Sequence, residues 1–230
     1  MAITQKPGSL RDRLSPAAPG AAPSRDLVTT PGCPTAIVGA YHTLLTNVDL
    51  ALGAHAGGMV ATAALDENVD AACVGANLSL VAAQSGDRTL LVDCDLRAGA
   101  LMHLFGLDPA PGLAQLLAGE HSDLRALAQP TELPTLGVIV AGASGARHGR
   151  LARLGDLSAA LLRLKNAADR VMLVVPPVLA STDVLQLAAF VDGVLLVVAP
   201  GRTQREVAAR ARTILNQAEA PLLGVALVPG

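Results

Sequence analysis

The sequence predicts an α/β fold, a doubly wound and mostly parallel sheet with helices on both faces. Three observations carry the prediction. Short aliphatic runs alternate with stretches of helical periodicity, the order of elements that successive βαβ units produce. The runs are nearly continuous in Val, Leu, Ile, Met and Ala, as strands covered on both faces require. The 230 residues are 51% apolar and 16% charged, enough for one sizeable core, which excludes disorder of the whole chain.

Residues 1–34 hold Pro7, Pro16, Pro19, Pro23 and Pro31 among Ala, Gly and Ser without apolar periodicity, so a flexible arm is expected there. A single domain is expected over residues 35–230. It opens with a leading helix at residues 35–54, where Ile37, Tyr41, Leu44, Leu45, Val48 and Leu52 recur at three- and four-residue spacing before Gly53. Strands are expected at Met59–Ala64, Thr89–Asp93, Gly137–Ala141, Arg170–Val175, Gly193–Ala199 and Leu222–Val228. Helices are expected between them at Asp70–Ser85, Gly99–Leu104, Leu113–Leu117, Leu151–Asn166, Asp183–Phe190 and Thr203–Ala218. The run Gly142, Gly145, Gly149, with Arg147 and His148, has the spacing of no phosphate motif and reads as a connecting loop.

Composition removes several function classes. One Tyr, two Phe and no Trp leave no platform for stacking bases. A net charge of −2 gives no electrostatic footprint for nucleic acid or an anionic membrane. Charged or turn residues interrupt every apolar run before it reaches the 18 or so residues a spanning helix needs. Pro7, Gly8, Arg11, Asp12 and Arg13 stand where the apolar core of a leader would be, so a cytoplasmic location is expected. Cys33, Cys73 and Cys94 are too widely spaced for a zinc pattern or a disulfide framework, and are expected as reduced, mostly buried thiols. His42, His55, His103, His121 and His148 are scattered without ligand spacing, and no metal site is expected. Ser181 has no His near it in sequence, so it is not expected as a nucleophile.

In an open parallel sheet the ligand belongs at the carboxyl ends of the strands, and the first strand-to-helix turn is the place for a phosphate loop. Here that turn runs Ala64-Leu65-Asp66-Glu67-Asn68-Val69-Asp70-Ala71-Ala72-Cys73. It lacks the glycines that let backbone N–H groups converge on an anion, the Lys for the outer phosphates and the hydroxyl for Mg²⁺. It holds three carboxylates instead, Asp66, Glu67 and Asp70. At an effective dielectric of ~20, each like-charge contact near 4 Å costs on the order of 4 kcal/mol before screening. The same acids suit a helix N-terminus, so Asp70 or Asp66 is expected to cap the helix that follows.

Several segments resemble the cytoplasmic catalytic domain of bacterial tyrosine kinases (BY-kinases) of capsule and exopolysaccharide synthesis, within the deviant Walker-A ATPases. They are Ala40-Tyr41-His42-Thr43-Leu44-Leu45-Thr46-Asn47, Ala76-Asn77-Leu78, Leu91-Val92-Asp93-Cys94-Asp95-Leu96-Arg97, Leu104-Phe105-Gly106-Leu107, Gly112-Leu113, Leu117-Ala118-Gly119-Glu120, Pro176-Pro177-Val178-Leu179, Thr182-Asp183, Val191-Asp192-Gly193-Val194 and Leu223-Gly224-Val225. The match runs from about Ala36 onward in the family's order. The resemblance implies a P-loop NTPase-like fold.

It also places the departures. Aligned on Asn77, the family's Walker-A Gly-Lys-Ser-Thr falls on Asp70, Ala71, Ala72 and Cys73, and its Walker-B Asp falls on Val174. An Asn that contacts adenine falls on Val228, and the Glu-x-x-Arg-x-x-Arg oligomerisation pattern falls on Gly39, His42 and Leu45. The acids that in the family serve Mg²⁺ and hydroxyl activation correspond to Asp93 and Asp95, followed by Arg97. These three are the only vestigial catalytic candidates. The competing expectation is that they cap a turn and bind one another. The one tyrosine, Tyr41, lies in the leading helix, so no autophosphorylation cluster is expected.

The resulting expectation is a catalytically inactive pseudo-ATPase, not an enzyme and without cofactor, acting as a protein-binding, scaffold or regulatory subunit. Its implied partner is a membrane chain-length regulator, a catalytic paralogue or a larger complex, and a homo-octamer is not expected. Two alternatives stand beside it. One is an active ATPase or kinase with a non-standard phosphate loop or partner-supplied residues, and the other is a structural subunit of an unrelated assembly.

Overall fold

The structure, a computed structural model, describes residues 23–53, 57–67, 69–142, 157–201 and 205–228. The leading helix α1 spans Thr35–Leu52, followed by β1 (Met59–Ala64), α2 (Ala71–Gln84), β2 (Thr89–Asp93) and α3 (Ala100–Phe105). Two short helices, α4 (Leu113–Leu117) and α5 (Leu124–Leu127), precede β3 (Gln129–Pro130) and β4 (Leu136–Ile139). The chain continues through α6 (Leu157–Ala167), β5 (Arg170–Val174), α7 (Asp183–Ala188), β6 (Gly193–Val198), α8 (Arg205–Gln217) and β7 (Leu222–Leu227).

The strands form one seven-stranded sheet in the order β3-β4-β2-β5-β1-β6-β7. All neighbours are parallel except β3, which runs antiparallel to β4. Every residue of β1, β2 and β5 is buried, and alternate side chains enter opposite layers. Val60, Ala64, Leu91, Met172, Val174, Leu195 and Val197 pack against α1, α2 and α3. Met59, Ala61, Ala63, Leu90, Val92, Val171 and Leu173 pack under α4, α6, α7 and α8.

The expected doubly wound sheet is present, and β3 and α5 are additions to it. At two and four residues they are too short to show a period, and Pro130 is tolerated because β3 is an edge strand. Of the expected helix at Leu151–Asn166, residues 151–156 lie outside the described residues, as does the glycine run beyond Gly142. The arm expected over residues 1–34 differs at its end. Its first 22 residues lie outside the described residues, whereas Leu27 and Val28 are buried in the core.

The inner face of α1 is closed by the chain's own core. Tyr41, Leu44, Leu45 and Val48 are all buried, so this aliphatic stripe needs no partner to cover it. One polar tie fixes the same helix to the sheet. The buried Arg170 guanidinium pairs with Asp49 of α1 at 2.9 Å and with Asp87 at 3.1 Å. Asp49 and Asp87 are part-exposed, and removing either leaves the buried Arg170 charge less compensated. No described helix is long and apolar enough to cross a membrane.

Close approach of α2 to the sheet depends on Gly75. A Cβ there would lie 2.6 Å from Thr62 Oγ1 and 3.1 Å from Val174 Cγ2. Gly75→Ala is expected to destabilise the fold by about 1–3 kcal/mol through overpacking, read as a lower denaturant midpoint. An unchanged midpoint would show that another contact sets this spacing.

Candidate functional site

The topology brings three strand-to-helix connections to the carboxyl end of the sheet, after β1, β2 and β5, where open α/β sheets bind ligands. The first leads into α2. The Asp70 carboxylate accepts a 2.9 Å hydrogen bond from the Cys73 backbone N–H, which makes Asp70 the N-cap of α2. A helix start leaves donors without intrahelical partners, and here one is met by the chain's own anion. Ala71, Ala72 and Cys73 follow as buried residues. The loop is held from beside it, because Val178 N–H donates to Ala64 O at 2.9 Å.

Val174 ends β5 in register with Thr62 of β1 and Asp93 of β2. Its carbonyl accepts from Cys94 N–H at 2.8 Å, and its side chain faces Gly75. The position that the resemblance assigns to a carboxylate is therefore an apolar contact between helix and sheet. Val228 likewise packs into the core beside α1 and α2. Of the positions matched to the charged oligomerisation pattern, Gly39 and His42 are exposed and Leu45 is turned inward.

Asp93, Asp95 and Arg97 come together in the second connection. Asp93 is fully buried, and it accepts from Asp95 N–H at 3.0 Å and from Leu101 N–H at 3.2 Å. Asp95 accepts from both Arg97 N–H at 3.1 Å and the Arg97 guanidinium at 3.2 Å. The cluster thus closes the turn and ties β2 to the start of α3. Burial pushes the Asp93 carboxyl up to about 7, opposed by the backbone donors of Leu101, Asp95 and Ala100 and helped by the charge of Asp95. Burial also pushes the Cys94 thiol up, as do the carboxylates of Asp93, Asp95 and Asp183.

Asp183, at the start of α7, is buried, and its Oδ1 has no hydrogen-bond partner among the described residues. Thr182-Asp183 is part of the resemblance, but no local sequence signal marks Asp183 as buried. Ser181 Oγ accepts from Asp183 N–H at 3.1 Å, so it serves the helix start. Tyr41 is fully buried. Among the described residues no group of three or more His, Cys, Asp or Glu is placed to hold a metal ion.

Two stability effects follow from these bonds. Asp70→Ala is expected to cost about 0.5–2 kcal/mol, the usual loss for an N-cap, and an unchanged melting curve would refute the cap. For Asp93 the folded pKa, about 7, lies above the ordinary 3.8, so the native state binds the proton more tightly than the unfolded chain. That contribution is complete below about pH 4 and is lost as pH rises through 7. Denaturant midpoints at pH 5 and pH 8 should therefore differ less in Asp93→Asn than in the parent. Equal pH dependence in the two proteins would contradict the assignment.

No family model matches the chain. A tyrosine-protein kinase of Acinetobacter johnsonii named ptk is 34% identical over 157 residues, covering 68% of this chain and 21% of that protein. The Bacillus subtilis tyrosine-protein kinase YwqD is 29% identical over 191 residues, covering 80% of this chain and 77% of that one. Among solved structures, the kinase domain of VpsO superposes with a TM-score of 0.74 at 29% identity, over 84% of this chain and 94% of that one. The fold is that of the P-loop ATPases. The chain spans about a fifth of ptk and most of YwqD.

These relatives overturn one expectation. They are named as tyrosine-protein kinases, that is, as enzymes, whereas the sequence reading held that the chain is not one. That reading extended the loss of side chains at the positions matched to Walker A, Walker B and the adenine contact to the whole reaction, and lost side chains speak only for their own positions. Order of elements, sheet topology and relatives agree, and the chain is a domain of the bacterial tyrosine-kinase (BY-kinase) family.

Proposed function

We propose that the domain serves polysaccharide synthesis or export as a protein-binding, regulatory unit, cytoplasmic and held beside the membrane by a protein partner. The observation that carries the proposal is the closed N-terminus of α2. Asp70 fills with its own carboxylate the turn that the resemblance aligns with Walker A, and Val174 fills the Walker-B position with a methyl contact. Phosphoryl transfer by this domain, where it takes place, then draws its phosphate-binding cation from outside residues 66–73. A partner chain is one source, and activity and partner binding become one question.

The outer face of α1 supports a protein contact. Leu50 is 75% exposed, and around it Gly39, His42, Thr43, Thr46, Asn47 and Ala51 are exposed without a Lys, Arg, Asp or Glu among them. With the charged positions of the family pattern absent, the domain is expected as a monomer or as one subunit of a hetero-complex. Light scattering of the purified chain is expected to give the monomer mass, and a stable ring of identical subunits would overturn this part. From membranes of the native organism, the tagged chain should recover a polysaccharide-export or chain-length-regulating membrane protein. Leu50→Glu combined with Ala51→Glu should reduce that recovery at least tenfold. Equal recovery by the double variant moves the contact off α1, and recovery of the chain alone removes the partner.

A further inference from the structure

Residues 23–33 lie against α2, and one buried side chain holds them there. Asn77, fully buried in the middle of α2, accepts from Val28 N–H at 2.8 Å and donates to Asp26 O at 3.0 Å. At its far end the segment is tied by Ser24 N–H, which donates to Leu104 O at 2.8 Å. Leu27 is buried between these ties.

The same segment reaches the α2 cap through a single residue. Cys73 gives its backbone N–H to Asp70. Its sulfur accepts from Asn77 Nδ2 at 3.4 Å, and its S–H donates to Asp26 O at 3.8 Å. Beside the segment is an apolar cavity of ≈ 180 Å³ lined by Pro23, Leu27 and Thr29 together with Leu80, Phe105 and Leu133. Side chains that border a void lack dispersion partners on that side, which lowers the cost of local opening there.

We propose that residues 24–33 act as a clasp coupled through Asn77 and Cys73 to the Asp70 cap, so that displacing the N-terminal segment loosens the first turn of α2. The coupling is a property of the chain itself and does not depend on which partner the domain binds. Whatever pulls on the chain ahead of Pro23 acts, through the clasp, on the turn that corresponds to the family's phosphate loop. Thermodynamic linkage makes the effect reciprocal, so loosening the cap loosens the clasp.

Amide hydrogen exchange on the full chain tests both directions. Leu27→Ala, a change within the segment, is expected to speed exchange at the Cys73 amide at least tenfold while Leu91 and Leu173 in the sheet keep their rates. Asp70→Ala is expected to speed exchange at the Val28 amide by a similar factor. Changes confined to the mutated side in each variant overturn the coupling, and so does equal acceleration throughout the sheet. If Leu27→Ala does not fold, the Asp70→Ala arm decides alone.

Discussion

Helix α2 is buried along almost its whole length, and its first turn opens at the carboxyl end of the sheet, where a buried helix must find acceptors for its free N–H groups. Asp70 supplies one from within the chain. Much of the structure rests on this arrangement, because α2 is the element that touches α1, the central strands and the N-terminal segment together. With one donor of the first turn met from within the chain, the helix start depends less on an outside anion. In an ordinary phosphate loop the acceptor arrives with the ligand and the glycines hold a place for it. Here one acceptor comes from the chain itself.

The second and third connections complete the same edge by internal bonds. Asp93 spends its oxygens on the N–H groups of Asp95 and Leu101, and Asp95 takes both the backbone and the guanidinium of Arg97. Val174 joins helix to sheet by apolar contact. The chain belongs to a family whose members are named as kinases, and at this edge Asp70, Asp93 and Asp95 already have partners within the chain.

The sheet, the helices between its strands and a carboxylate cap after β1, which proves to be Asp70, were legible in the sequence, for reasons that are local. Aliphatic runs such as Val171, Met172 and Leu173 have the length of buried strands, and a carboxylate where glycines belong points to a helix start. What escaped depends on contacts between distant parts of the chain. Nothing near Asn77 announces that its partners are Asp26 and Val28, 51 and 49 residues away. Likewise the Pro-rich composition around Pro23 and Pro31 suggests a loose arm, whereas Leu27 between them is buried. The Arg170 pairs with Asp49 and Asp87, the burial of Asp183 and the closure of Leu44 and Leu45 under the chain's own core are of the same kind. The error about enzymatic activity had another source, since the residues at Asp70–Cys73, Val174 and Val228 were allowed to stand for a whole reaction.

The central claim is that the first turn of α2 carries its own anion and does not hold phosphate in the isolated domain. It is tested most directly by following the backbone amide of Cys73 in nuclear magnetic resonance spectra while Mg²⁺–ATP is added to millimolar concentration. The account predicts that this amide keeps its position, because its hydrogen bond already ends on Asp70. A saturable, Mg²⁺-dependent shift of the Cys73 amide would contradict it and would show that the nucleotide displaces the carboxylate.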